Sequence, residues 1–315
     1  MMVALRDEAA VKARQRATED LFEAVLEALQ ERLSMGTSQT ELGKRLGFST
    51  GSYISQIVAR KVRPAAATLE KMAAALGVLG GWRMVKSANS NAIMDLCADA
   101  QINMRLLMVY GSTGLGKTSA LEVYSQKHTK VGYVLCTCYM SERDLLDRIG
   151  QALGIKLTGV MSNKLKHLIT WLQQNPQTLI ILDDFGKLCN RPQLLVQVIR
   201  DEMRERVGIV LAGTREMKDR LSRKVDLGVP GFAELQSRIA YCLGLEQPSR
   251  DVVREICLHN GINDASAIKH IQNRASDYRQ VRELIINAKR VQAALAAEEV
   301  TAKMLEEAAV TTKWK

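Results

Sequence analysis

The sequence predicts an α/β fold in which a parallel sheet of five strands, covered by helices, follows one helical domain and precedes another. Short apolar runs of strand type alternate with helical patterns between residues 105 and 245, which is typical of a parallel sheet. A glycine-rich loop follows the first of these runs. Only 4% of the residues are aromatic, which favours a helix-rich chain over a sandwich of short strands.

The chain has 315 residues, so two or three folding units are expected. The patterns predict an N-terminal helical domain over residues 1–80, an α/β core over 81–246 and a C-terminal helical domain over 247–315. The first boundary falls in a glycine-containing segment from Gly77 to Gly81.

The charge and composition of the chain restrict the kinds of partner that it is expected to bind. The formal charge of +10 predicts a polyanionic partner, with a soluble basic surface as the alternative. Six cysteines are scattered without zinc-binding spacing, so they are expected to be reduced and packed. No run of eighteen apolar residues and no apolar signal sequence occur, which predicts a cytoplasmic protein without a membrane partner.

The first domain contains a pattern typical of a helix-turn-helix, at about residues 38–61. An amphipathic helix over 20–34 precedes two short helices, of which Ser38 can cap the first and Gly47 can form the turn. A helical bundle for protein docking is the alternative. The residues predicted to contact DNA from the second helix and its end are Ser52, Tyr53, Gln56, Arg60 and Lys61.

The glycine-rich loop reads GSTGLGKT and stands between a predicted strand over 105–110 and a predicted helix over 118–126. This spacing matches a phosphate-binding loop in full. Its glycines let backbone N–H groups face phosphate oxygens, and Lys117 adds a charge for the β- and γ-phosphates. The predicted nucleotide-binding residues are Gly111, Ser112, Thr113, Gly114, Leu115, Gly116, Lys117 and Thr118.

Two acids end the strand TLIILDD, over residues 178–184. The apolar run is typical of a parallel strand covered on both faces, and such a strand brings its final acids to the edge beside the loop. Thr118 and Asp183 are therefore predicted to hold Mg²⁺. Asp184 is placed to activate the attacking water, with a plain surface acid as the alternative.

Further polar residues follow the later strands, which are predicted over 208–212 and 240–245. Thr214 can hold water or a γ-phosphate at the same sheet edge. Arg282 begins a helix near the end of the chain, where its guanidinium can reach bound phosphate. A basic segment after Thr214 is predicted to contact DNA, with a solvated helix face as the alternative; its residues are Lys218, Arg220, Arg223 and Lys224.

Taken in order, GSTGLGKT, LIILDD, LAGT, SRI and QVREL resemble the motifs of AAA+ ATPases. With a helix-turn-helix in front and a helical lid behind, the chain most resembles the transposition regulators of the phage Mu B and TnsC type. The resemblance implies an AAA+ P-loop NTPase core that binds ATP and Mg²⁺. It makes Thr214 the sensor 1 residue and Arg282 the sensor 2 residue. Arg238 becomes an arginine finger for a neighbouring subunit, with a simple salt bridge as the alternative.

The resemblance also implies a function: assembly with ATP on duplex DNA, as a ring or filament with weak sequence preference, and presentation of the target to a transposase. Hydrolysis is expected to be slow, because Asp184 replaces a common Glu, and to be stimulated by DNA and assembly. Arg279 also replaces the glycine that often precedes the sensor 2 arginine. The alternatives are a helicase loader or replication initiator, and a helix-turn-helix repressor that senses a nucleotide.

Overall fold

The computed structural model of the protein describes residues 18–310, apart from 20, 31, 35, 77–86, 204, 205, 296 and 298. The predicted boundary segment at 77–81 therefore lies outside the described residues. Contacts divide the chain into two compact units. One unit is Lys86–Gln247, and the other contains the chain up to Val85 together with Pro248–Lys315.

In the part of the chain that the structure describes, the N-terminal group has four helices around a small core. Leu29, Leu42 and Ile54 are completely buried in it. The hydroxyl of Ser38 accepts the N–H of Glu41 at 3.2 Å and so caps the second helix, as predicted. The helices are α1 (described as helical at 18–19, 21–30 and 32–34), α2 (Gln39–Arg45), α3 (Ser52–Val58) and α4 (Ala66–Leu76).

Helices α2 and α3 meet through glycines. A Cβ at Gly51 would lie 2.7 Å from the carbonyl carbon of Gln39, and one at Gly43 would lie 2.8 Å from the carbonyl oxygen of Thr50. Gly47 makes the turn between them with φ +83°, a left-handed conformation that glycine adopts without strain. The two helices therefore cross at backbone contact, in the arrangement that the helix-turn-helix pattern predicts.

The central unit is built on a five-stranded sheet in the order β2-β3-β4-β1-β5, with every pair parallel. All residues of β3 and β4 are buried, as expected for strands covered on both faces. The last strand lies at the sheet edge and is mostly exposed. The strands are β1 (Leu106–Tyr110), β2 (Val131–Leu135), β3 (Thr178–Asp183), β4 (Val207–Gly213) and β5 (Tyr241–Gly244).

Helices cover this sheet and close its core, which contains Leu106, Ile180 and Leu211. A short 3-10 turn, Phe185–Lys187, follows β3. Since parallel strands all end at the same edge, the segments after β1, β3 and β4 lie side by side. The helices are α5 (Ala88–Ile102), α6 (Lys117–Lys127), α7 (Glu142–Ala152), α8 (Met161–Gln174), α9 (Asn190–Glu202), α10 (Arg215–Asp226) and α11 (Phe232–Arg238).

Within the described residues, four helices form the C-terminal group, where a helical domain is predicted. Their apolar faces share a core that contains Cys257, Ile271 and Val281. Among the residues that the structure describes, no helix has the length and apolar character needed to cross a bilayer. The helices are α12 (Arg250–His259), α13 (Ala265–Arg274), α14 (Tyr278–Leu295) and α15 (Ala302–Val310).

Candidate nucleotide site

The glycine-rich loop connects β1 to α6 at the carboxyl edge of the sheet. Gly114 and Gly116 have φ values of +80° and +83°, which bend the loop back on itself. Gly116 also occupies the position before α6, so no side chain caps the first N–H groups of that helix. Uncapped N–H groups at a helix start suit the oxygens of a phosphate.

Lys117 is only 8% exposed and folds across its own loop. Its Nζ donates to the carbonyl oxygens of Gly111 and Ser112, each at 2.8 Å. The ammonium is therefore held over the loop by backbone carbonyls. This position fits a lysine that neutralises phosphate charge.

Behind the loop, Asp183 is fully buried and both of its carboxylate oxygens are engaged. Thr118 Oγ1 donates to Oδ2 at 2.7 Å, and the Tyr133 hydroxyl donates to the same oxygen at 2.9 Å. The N–H of Asp184 donates to Oδ1 at 2.8 Å. The structure thus brings together Thr118 and Asp183, the two residues predicted to hold magnesium.

These residues fit Mg²⁺ by the chemistry of their oxygens. Magnesium is usually held by one or two protein oxygens together with substrate phosphates and waters. Thr118 and Asp183 supply a hydroxyl and a carboxylate beside the phosphate loop. Among the described residues no group of three acidic, cysteine or histidine side chains forms an independent metal cage.

The surroundings of Asp183 are poorly solvated and negative. Burial and the charge of Asp183 raise the pKa of the Tyr133 hydroxyl, which therefore stays protonated and donates. Burial and then Asp183 also raise the pKa of the Glu122 carboxyl. Burial raises the pKa of the Cys136 thiol to about 12. A cation bound here would relieve this concentration of negative charge. Tyr133 was not predicted as a site residue from the sequence. Its position in the middle of β2 was the only indication of such a role.

Asp184, the predicted activating acid, follows β3 in a left-handed conformation with φ +54°. Its Oδ2 accepts from Lys187 Nζ at 2.6 Å. This hydrogen bond raises the pKa of the Lys187 ammonium. Lys187 was not predicted as a site residue from the sequence, although a lysine three residues after Asp184 can pair with it across one turn.

Thr214, the predicted sensor 1 residue, lies next to the start of the loop. It follows Gly213, whose carbonyl accepts the N–H of Gly111 at 3.3 Å. Thr214 occupies the position before α10, is half-buried, and makes no side-chain capping bond to that helix. The structure therefore brings its hydroxyl to the same sheet edge as the two acids.

Arg238 lies at the end of α11, and its Nε donates to Asp201 Oδ1 at 2.6 Å. The N–H of Ala240 donates to the carbonyl of Leu106 at 2.9 Å, so α11 ends beside the start of β1. The loop begins after the five residues of β1, which span about 16 Å. Arg238 is thus at the opposite edge of the sheet from its own loop. The salt bridge given as its alternative is observed.

Arg282, the predicted sensor 2 residue, belongs to α14 in the other unit. Its Nε is buried and has no hydrogen-bond partner among the described residues. A buried guanidinium nitrogen without a partner is unusual. Its role toward a nucleotide stays a prediction.

The helix-turn-helix side chains predicted to contact DNA differ in how far they are restrained. Ser52, Gln56 and Lys61 are exposed. The Tyr53 ring packs against Phe48, with centroids 4.8 Å apart. Arg60 is exposed but donates twice to Glu23, at 2.8 Å each.

The predicted basic segment forms part of α10, and its side chains fall into two groups. Arg220 and Arg223 are exposed. Lys218 Nζ lies over the Tyr110 ring, 4.7 Å from its centroid, and is half-buried. Lys224 Nζ donates to Gln193 at 2.9 Å and lies over the Phe232 ring. Burial lowers the pKa of Lys224. Only the two arginines lie fully on the outer face.

Comparison with known proteins agrees with this architecture. A family profile described as "AAA domain" matches residues 102–221, and one described as "Helix-turn-helix" matches residues 29–82. The chain is also similar to the Mu-like prophage FluMu DNA transposition protein B of Haemophilus influenzae, at 24% identity over 75% of this chain and 85% of that protein. The chain therefore contains an AAA domain and a helix-turn-helix domain, and over most of its length it is similar to a phage transposition protein B.

Solved structures confirm the predicted fold class of this AAA+ protein. The ORC2 protein of Aeropyrum pernix aligns with a TM-score of 0.56 at 16% identity, over 73% of this chain and 69% of that one. Cdc6p of Pyrobaculum aerophilum aligns with a TM-score of 0.55 at 13% identity, over 74% and 69%. These identities establish the fold alone. The AAA domain makes the chain an ATPase that binds a nucleotide.

Proposed function

We propose that this AAA+ protein assembles with ATP on duplex DNA and presents that DNA as a target to a transposase. The observation that carries the proposal is the hydrogen-bonded group of Thr118, Asp183 and Tyr133 behind a complete phosphate loop. The helix-turn-helix domain on the same chain supports DNA binding. The similarity to a transposition protein B supports a role in transposition.

In the nucleotide site, the loop N–H groups and Lys117 bind the phosphates of ATP. Thr118 and Asp183 hold Mg²⁺, which neutralises charge on the transferred phosphoryl group when it is bound. Asp184 accepts a proton from the attacking water, and Thr214 orients that water or the γ-phosphate. The aspartate at position 184 carries one methylene fewer than glutamate, so we expect slow turnover.

The location of Arg238 supports assembly as part of this proposal. Because this arginine lies at the opposite edge of the sheet from its own loop, it acts on a nucleotide only from a neighbouring subunit. A head-to-tail interface of this kind gives a ring if the rotation closes and a filament if it does not. The arginine then links hydrolysis to assembly.

Weak sequence preference is expected in the DNA contact. Ser52, Gln56 and Lys61 are exposed, and the exposed guanidinium groups of Arg220 and Arg223 are suited to phosphate, whose contacts carry no sequence information. The net charge of +10 adds attraction to the backbone. Affinity should therefore fall steeply as salt increases.

Electron microscopy with long duplex DNA and ATP tests this proposal, with Lys117→Ala and Arg238→Ala as disruptive variants. Lys156→Ala is the matched control, because Lys156 is exposed and distant in sequence from every predicted site. We expect rings or filaments in the wild type and the control, and neither in the two disruptive variants.

Isolated particles at one DNA position, unchanged by Arg238→Ala, would refute assembly and favour the nucleotide-sensing repressor. A preference for single-stranded DNA in the same samples would favour the helicase loader.

A further inference from the structure

Three segments of the AAA+ unit converge beside Asp184. The segment after β2 reaches the one after the 3-10 turn, since Cys189 Sγ lies 3.9 Å from the carbonyl oxygen of Cys138. Helix α10 joins them, because Arg220 Nη2 donates to the carbonyl oxygen of Gly186 at 3.1 Å. Together they form a surface that we call the β2–β3 edge, defined by Cys138, Tyr139, Gly186, Lys187 and Arg220.

The β2–β3 edge combines cations with an exposed aromatic ring. Tyr139 is 92% exposed, the highest value among the large apolar and aromatic side chains that the structure describes as exposed. Lys187 and Arg220 are also exposed. Guanidinium and ammonium groups beside an exposed ring are the elements with which proteins follow a nucleic-acid backbone.

Lys187 connects this surface to the activating acid. Its N–H donates to the carbonyl oxygen of Asp184 at 2.8 Å, and its Nζ donates to the carboxylate of the same residue at 2.6 Å. The Lys187 side chain is 57% exposed and that of Asp184 is 31% exposed. The ammonium thus lies between solvent and the acid. It occupies a carboxylate oxygen that the attacking water would need as a proton acceptor.

We propose that Lys187 and Arg220 bind a DNA backbone phosphate, and that this contact draws Lys187 away from Asp184 and frees the acid to act on water. The inference rests on the proposed function, since it explains how DNA would accelerate hydrolysis. Lys187 is a positioning residue in this scheme, because it acts on the reaction through Asp184.

The exchange is physically reasonable because an exposed ion pair is weak and a lysine stem is flexible. A phosphate offers the ammonium a second anionic partner at little conformational cost. Arg220, held by the Gly186 carbonyl, is placed to bind the same phosphate with its remaining donors. Without DNA, Lys187 returns to Asp184, so hydrolysis away from DNA is restrained.

Lysine footprinting tests the contact without relying on turnover. The full chain is acetylated by a water-soluble reagent with a non-hydrolysable ATP analogue, with and without a duplex of about 30 base pairs, which is long enough for several phosphate contacts. Mass spectrometry then gives the protection of each lysine. We expect DNA to protect Lys187 and Lys61 and to leave the exposed Lys156 unprotected.

The outcomes separate this inference from the proposed function. Protection of Lys61 without protection of Lys187 would leave DNA binding intact and overturn the inference. Protection of neither lysine would refute both. If Arg220→Gln kept both the DNA affinity and the protection of Lys187, Arg220 would not belong to the phosphate site. This result would contradict the proposal.

Turnover supplies the second readout, with Lys156→Gln as the charge-matched control. Lys187→Gln should raise ATP turnover without DNA by about two- to fivefold, a modest change because the pair is exposed. Stimulation by DNA should fall toward onefold in this variant and stay at the wild-type ratio in the control. An equal loss of turnover with and without DNA would show that Lys187 supports a productive Asp184, and would overturn the inference.

Discussion

The nucleotide site and the helix-turn-helix surface present their functional side chains in opposite ways. In the nucleotide site, Thr118 and Tyr133 converge on a fully buried Asp183 through hydrogen bonds of 2.7 and 2.9 Å. In the helix-turn-helix, Gln56 and Lys61 are exposed, and Arg60 is held only by a surface ion pair with Glu23. Phosphoryl transfer needs geometry that is fixed in advance, whereas contact with a DNA backbone tolerates mobile side chains.

The largest effect should come from removing a fixed group of the nucleotide site. Lys117→Ala removes the ammonium that is held over the loop, and we expect ATP turnover to fall by about 100-fold or more. DNA binding by the helix-turn-helix without nucleotide should not change, since that domain has its own core. A coupled assay of ATP turnover and a DNA anisotropy titration measure the two effects.

An effect of comparable size on the helix-turn-helix requires disruption of the backbone contact between α2 and α3. Gly51→Val places a side chain where even a Cβ atom would lie 2.7 Å from the backbone of Gln39. We expect the N-terminal group to lose about 2–3 kcal/mol of its free energy of unfolding. Calorimetry and a DNA titration should show this loss with nucleotide binding unchanged. Thr40→Val, at an exposed position of α2, is the control, and an equal loss in it would disprove the backbone explanation.

Tyr133→Phe tests how far the nucleotide site depends on its buried hydrogen bonds. The change removes the donor to Asp183 Oδ2 and keeps the ring, so about 1–2 kcal/mol should be lost, or about a tenfold decrease in turnover. Tyr241→Phe is the control, because Tyr241 is 54% exposed. Full turnover in Tyr133→Phe, measured at saturating ATP, would show that the hydrogen bonds from Thr118 and from the N–H of Asp184 suffice to orient the carboxylate.

The smallest effect is expected at the helix-turn-helix surface. Glu23→Gln releases Arg60 from its ion pair, which should raise DNA affinity by up to about fivefold at low salt. Glu19→Gln is a close control, because it removes the same charge and releases Arg63, a residue outside the predicted DNA contacts. Equal gains in the two variants, measured by anisotropy, would assign the effect to net charge.

The sequence predicted those parts of the site that are encoded by spacing. The phosphate loop, the juxtaposition of Thr118 and Asp183, and the fold class follow from local patterns, because a loop between strand and helix needs particular residues at fixed intervals. That Thr118 and Asp183 hold magnesium stays a prediction. Sheet order brings the end of β4 beside β1, and β3 lies next in line.

Contacts between distant segments were not predictable in this way. Lys218 and Lys224 appear basic and solvent-facing in the sequence, but Tyr110 and Phe232 lie beneath their ammonium groups. The hydrogen bond from Tyr133 to Asp183 depends on the pairing of β2 with β3.

The separation of Arg238 from its own phosphate loop affects how many complete nucleotide sites an assembly contains. If subunits join head to tail as proposed, each complete site needs a loop from one subunit and an arginine from the next. An open row then contains one complete site fewer than it has subunits, whereas a closed ring contains as many sites as subunits. Short rows should consequently turn over less ATP per subunit than long ones, and the terminal subunit should retain its nucleotide longest.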